Sequence, residues 1–139
     1  ISLLRFFTKE TPRVINAFLS DKTMSVVNLR YKKFNAVLET GHFTKYGWDE
    51  TFEIYFELGS MKIYLPPQHF KNQSAYFEIN NRMRDKIYRF KSSKSWSFKN
   101  QCSAFINDII KNKVKINRAE EGTKDIKLIE KIWKNFVNI

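Results

Sequence analysis

The sequence predicts an α+β fold, with an open, mostly antiparallel sheet and helices packed on one face. Three observations carry this. Between Arg13 and Phe90 the apolar residues recur largely with period two, interrupted by short polar turns. After Ser95 the period changes to three and four, over two separate segments. The chain has 139 residues, enough for one domain with a core of its own. Period two puts alternate side chains on one face of a strand, and a spacing of three and four puts them on one stripe of a helix. Strands joined by short turns pair antiparallel, and helices grouped at one end of the chain cover one face of the sheet. Residues 1–139 are therefore read as a single domain.

The elements follow in order. Leu3, Leu4, Phe6 and Phe7 have helical spacing, and this first helix stops by Pro12. Arg13 to Leu19 is a short apolar strand, and Asp21-Lys22 is turn-like. Met24 to Tyr31 and Phe34 to Thr40 are two more strands, with Lys32-Lys33 as the turn between them. Gly41 to Trp48 reads as a loop with structure of its own. The clearest hairpin runs from Thr51 to Leu65. Phe52, Ile54, Phe56 and Leu58 alternate with polar residues, Gly59-Ser60 serves as a two-residue turn, and Met61, Ile63 and Leu65 alternate again. Pro66-Pro67 ends it. Ala75 to Ile79 and Lys86 to Phe90 are shorter strands, with Asn80-Asn81 as a turn pair. Phe98, Cys102, Phe105, Ile106 and Ile109 form one helical stripe, capped by Ser95 or Ser97 and closed by a left-handed Asn112. Ile126, Ile129, Ile132, Trp133 and Phe136 form another. Thr123 caps it, Gly122 breaks the chain just before, and Asp125 faces the positive end of its dipole.

Composition excludes several classes. Hydrophobic residues make up 42% and charged residues 28%, which fits neither a disordered tail nor a membrane protein. No run approaches the roughly 18 apolar residues of a spanning helix. A lone cysteine, Cys102, rules out an internal disulfide and a cysteine-rich metal site, and points to the cytoplasm. On its helix stripe Cys102 reads as a small buried hydrophobe. The net charge is +11, and 18 of the 25 basic residues are Lys, which AT-rich codons explain without any function. The densest basic stretch carries Arg82, Arg84, Lys86, Arg89, Lys91, Lys94 and Lys99 against one acid, Asp85. It lacks an Arg-rich arm, paired-Cys zinc spacing or ribonucleoprotein aromatics, which argues against nucleic acid as the dedicated partner.

The chemistry-bearing residues are few. His42 and His69 have no His, Cys or acid at metal-ligand spacing, so no metal site is expected. None of the four glycines lies in a phosphate-loop spacing. No catalytic residue is assigned. His42, Tyr46 and Trp48 lie in a loop where burial is not forced, and they are the substrate-contact candidates, since aromatic groups beside polar ones suit sugar contact. Tyr55 and Tyr64 lie on the second face of the hairpin beside Glu53, Glu57 and Lys62, and are candidates for a partly polar interface.

Three stretches together resemble the C-terminal domain of the Gfo/Idh/MocA oxidoreductases, the glucose–fructose oxidoreductase and inositol dehydrogenase relatives. Ile1-Ser2-Leu3-Leu4-Arg5-Phe6-Phe7-Thr8-Lys9-Glu10 is similar to the family's "iDLLrfllGe" helix. Phe52 to Ile63 is similar to "leiyGtkGtlrl", with Phe56 where the family usually has Gly. Gln101 to Trp133 is similar to "q..aFvdaIlnG……dl.liEaiy.s". Ser2 stands where the family usually has Asp, and Asn112-Lys113 replaces its Asn-Gly helix end.

The resemblance implies a fragment of a longer protein, a reading that the start at Ile1 rather than Met also suggests. It implies a substrate-binding and oligomerisation domain of an NAD(P)-dependent oxidoreductase acting on a sugar or cyclitol derivative. This fragment would bind no cofactor, NAD or NADP sitting instead in an N-terminal Rossmann domain. The implied partners are that domain and a second copy of the chain through the open sheet face. Two alternatives stand beside it: a basic polyanion or nucleic-acid binding module, and a purely structural assembly domain.

Overall fold

The structure, a computed structural model, describes residues 1–20, 23–42, 45, 47, 49–112 and 119–138. The α+β class and the open, mostly antiparallel pairing are as the sequence predicts, but the strands divide between two four-stranded sheets. Alternation shows that a segment is a strand and leaves open which sheet it joins. The chain forms two compact units, Ile1–Lys45 with Val114–Ile139, and Tyr46–Lys113.

The first unit holds helix α1 (Ser2–Thr8), strands β1 (Arg13–Ser20), β2 (Met24–Arg30) and β3 (Asn35–Gly41), and, from the chain's end, helix α3 (Ala119–Lys134) and strand β8 (Phe136–Asn138). The strand order is β3-β2-β1-β8, with β8 parallel to β1 and the other pairs antiparallel. Lys32-Lys33 does form the β2–β3 turn. It is closed by the Tyr31 N–H donating to the Phe34 carbonyl at 2.9 Å and by the two rings stacked at 4.4 Å. Among the described residues, the buried apolar side chains are Leu4, Ala17, Val27, Leu29, Tyr31, Leu128 and Ile132, all in this unit. Ala17 and Val27 are cross-strand partners, so they share one face, the one α3 packs against at β1. Ala17 is fully buried at β1, the strand against which α3 packs, and a larger side chain there would hold the helix away.

The ends of α3 differ from expectation. The helix begins at Ala119 and runs through Gly122, and Thr123 donates back to the Ala119 carbonyl at 3.0 Å instead of capping. Asp125 is engaged elsewhere. Arg5, with its side chain 9% exposed, donates to Asp125 at 2.6 Å and to the Glu121 carbonyl at 2.8 Å, and also pairs with the Glu121 carboxylate. Ser2 donates to the other Asp125 oxygen at 2.5 Å. Phe136, expected on the helix stripe, lies in β8 and pairs with Ala17. Helical spacing extends past Lys134, but a strand partner on the edge of β1 offers backbone hydrogen bonds that the spacing does not reveal.

The second unit holds β4 (Glu50–Phe56), β5 (Gly59–Leu65), β6 (Tyr76–Asn81), β7 (Lys86–Lys91) and helix α2 (Ser97–Ile110), in the strand order β4-β5-β6-β7, antiparallel throughout. Two expected turns move. Phe56 pairs with Gly59, so the hairpin turn is Glu57-Leu58 and Gly59-Ser60 belongs to β5. A Cβ at Gly59 would lie 1.9 Å from the backbone oxygen of Asn80. Glycine is required there by the approach of β6. Asn80-Asn81 likewise ends β6 rather than turning. Asn81 accepts from the Arg84 N–H at 3.1 Å, and Asp85, at φ 48°, completes the turn into β7.

Helix α2 closes as predicted, with Asn112 left-handed at φ 47°. Neither serine caps its start. Trp96 is the N-cap residue, and Ser95 exchanges backbone hydrogen bonds with Gln73. The apolar stripe of α2 is not buried: Phe105, Ile106 and Ile109 are exposed, and so is Cys102, against expectation. Periodicity identifies an apolar side of a helix without identifying anything to cover it.

Two predictions follow from these contacts. Gly59→Ala should lower stability by about 1–3 kcal/mol through forced displacement of β6. Gly122→Ala, in a helix with nothing within 4 Å of the added methyl, should raise it by about 0.5–1 kcal/mol; urea unfolding of both variants checks the pair.

The second concerns pH. Burial pushes the Asp125 carboxyl up, but the hydrogen bonds from Ser2 and Arg5 and the Arg5 charge outweigh it and hold it below the usual range. Hydrogen bonds from Lys124 and then Arg5 lower Glu121 as well. Folded values below unfolded ones mean stability that is full at neutral pH and lost as pH falls below about 4. Arg5→Met should therefore lower stability at pH 7 and do so much less at pH 3, read by urea unfolding at both.

Candidate functional site

The best-defined candidate surface is one face of the second sheet. Strand pairing aligns three rows across it. Thr51, Tyr64, Tyr76 and Lys91 form the first, Glu53, Lys62, Glu78 and Arg89 the second, and Tyr55, Ser60, Asn80 and Ile87 the third. Directly opposed residues share a face, so these twelve residues lie together, while Phe52, Ile54, Met61, Ile63, Phe77, Ile79 and Phe90 lie on the other.

The middle row alternates acid and base. Lys62 Nζ lies 3.8 Å from the Glu53 carboxylate, and Arg89 Nε donates to Glu78 at 2.8 Å. In the first row the Tyr64 and Tyr76 rings stack at 4.2 Å with 14° between planes, and Lys62 Nζ sits 5.2 Å from the Tyr64 centroid. Tyr55 is 72% exposed. The Glu53 carboxylate, as acceptor of its hydroxyl and then as a nearby charge, pushes the Tyr55 phenol above its ordinary range. The face thus presents aromatic surface, hydrogen-bonding groups, two acid–base pairs and one further cation, Lys91. That combination suits a partly polar contact with another surface.

The structure brings Tyr55 and Tyr64 onto this one face, as the hairpin's alternation implied. It adds Tyr76, Glu78 and Arg89, which alternation along single strands does not join to the hairpin. Their signal was available, since Tyr76, Glu78 and Asn80 alternate with Phe77 and Ile79, but only the register joins them to Tyr64 and Lys62. His42 follows β3 in the first unit. It is exposed, and its backbone N–H donates to the Thr23 carbonyl at 3.0 Å. Tyr46 and Trp48 lie outside the described residues, as does the Asp21-Lys22 turn. Among the described residues no three His, Cys, Asp or Glu side chains come together as metal ligands, and no helix is long and apolar enough to cross a membrane.

No family model and no curated protein matches the sequence. Solved structures do match the fold. KijD10, a 3-ketoreductase from Actinomadura kijaniata in complex with TDP-benzene and NADP, superimposes in an open conformation with a TM-score of 0.77 at 14% identity, over 99% of this chain and 45% of that one. The same enzyme with NADP gives 0.71 at 14% identity, over 92% of this chain and 42% of that one. The chain therefore matches nearly end to end while spanning less than half the length of the ketoreductase.

Proposed function

We propose that this chain is the C-terminal substrate-binding and oligomerisation domain of an NAD(P)-dependent oxidoreductase of the Gfo/Idh/MocA type, acting on a sugar or cyclitol derivative. The observation that supports it most is the fold likeness over 99% of the chain to a 3-ketoreductase crystallised with NADP. Three sequence stretches in the family's order point the same way: the Leu3-Leu4 helix, the Phe52–Ile63 hairpin and the Gln101–Trp133 helices.

In this reading the chain performs no chemistry alone. NAD or NADP belongs to an N-terminal Rossmann domain outside these residues. Of the described glycines, Gly41 and Gly59 lie in strands and Gly122 lies inside a helix, so none of these three opens a helix toward a pyrophosphate. His42, Tyr46 and Trp48 would touch substrate, and Tyr55 and Tyr64 would meet a second copy across the sheet face.

Two measurements test this. The full-length protein should quench and shift NADPH or NADH fluorescence in a saturable titration; absence of any nucleotide binding would sink the oxidoreductase reading and leave a structural assembly domain. Sedimentation of the protein should show a dimer or larger species, and Tyr55→Lys should weaken association tenfold or more with its circular dichroism unchanged. A clean monomer at high concentration would remove the sheet-face interface.

A further inference from the structure

We propose that a cleft at one end of the first sheet binds a phosphate group. This rests on the first unit alone and is independent of the oxidoreductase reading. The cleft offers about 470 Å³ and is lined by Glu10, Thr11, Arg13, Arg30, Tyr31 and Lys32.

Backbone geometry builds it. From Asn16 to Ser20, β1 pairs with β2 in one register; at Arg13 and Val14 the register has shifted by one residue, which leaves Ile15 as the extra residue of a β-bulge. Extended without the shift, the lower register would put Ile15 opposite Leu29 on the core face and Val14 opposite Arg30. The bulge instead places Val14 opposite Leu29 and Arg13 opposite Arg30. It leaves Ile15 exposed and brings two arginines onto one face. Bulges of this kind re-aim side chains, and they concentrate beside sites.

The electrostatics then call for an anion. Like charges directly opposed across an antiparallel pair repel. Arg13, Arg30 and Lys32 have no ion-pair partner among the described residues, and Glu10 is the only acid lining the cleft. In the same unit Arg5 is held by two carboxylates. Three cations against one acid leave two positive charges in excess. A carboxylate would neutralise one of them. A phosphate group carries roughly −1.5 to −2 near pH 7 and offers oxygens to two guanidinium forks and an ammonium.

Titrating the protein with inorganic phosphate at constant ionic strength, followed by calorimetry and by Tm, tests the proposal. Phosphate should bind saturably in the millimolar range and raise Tm, while chloride at equal ionic strength should do neither. Arg13→Gln and Arg30→Gln should each weaken phosphate binding at least tenfold. Without phosphate they should leave Tm unchanged or raised, because a repulsion is removed. Lys99→Gln, in the second unit, should bind phosphate as the parent does. Glycerol 3-phosphate distinguishes two sources: competition assigns the cleft to the phosphoryl group of an organic ligand, and its failure beside phosphate binding assigns it to the free ion. Absence of saturable phosphate binding, undiminished binding in both arginine variants, or a lower Tm in both without phosphate would each overturn the assignment.

Discussion

Arg5 reaches across 120 residues of sequence to Asp125, and through it the first helix of the chain is tied to the last. Most of the first unit depends on that closure. Strands β1 to β3 are contributed by the first third of the chain, whereas α3 and β8 arrive from its end. Closing a loop of that length costs about 4 kcal/mol of chain entropy. One part-buried ion pair does not offset this by itself. Burying Leu4, Leu128 and Ile132 against the sheet supplies the larger share, at about 1.5–3 kcal/mol for each side chain. The ion pair sets the geometry in which that burial occurs. It places two carboxylates of α3 over a guanidinium of α1, with Ser2 on the remaining oxygen.

The second unit is organised on a different basis. It buries no large side chain completely among the described residues, and its order comes from three consecutive antiparallel pairings. Register therefore carries more weight there than packing. A one-residue slip of β5 against β6 would send Tyr64 and Lys62 to the opposite face and break the tyrosine stack and the Lys62–Glu53 pair. Gly59 guards against such a slip, because only a residue without a Cβ fits under the Asn80 carbonyl. The Tyr64–Tyr76 stack thus rests on the β5–β6 register that the close approach at Gly59 holds.

Much of this was legible in the residues. The strands from Arg13 to Leu65, the Lys32-Lys33 turn and the left-handed end of α2 at Asn112 all follow from local periodicity and turn chemistry. Local rules failed where two solutions satisfy the same pattern. Gly59 reads equally well as a turn glycine and as a close-approach glycine. Phe136 continues a helical stripe and also fits an edge strand. Thr123 has the chemistry of a cap and also bonds comfortably inside a helix. The candidate face was half visible, since Tyr55 and Tyr64 share the hairpin's alternation. Tyr76 and Arg89 joined it only through pairing with other strands.

What the sequence determined by itself is the class and most of the strands and helices, because side-chain period and turn residues act over a few neighbouring positions. It also carried the order of motifs on which the oxidoreductase resemblance rests. What only the tertiary structure decided is which segments meet: the division into two sheets, the parallel edge strand, the salt bridge from Arg5, and the bulge that sets Arg13 beside Arg30. Each of these pairs backbone or charge across long stretches of chain or through a shift of one residue. Energies of a few kcal/mol choose among registers that the local pattern leaves nearly equal.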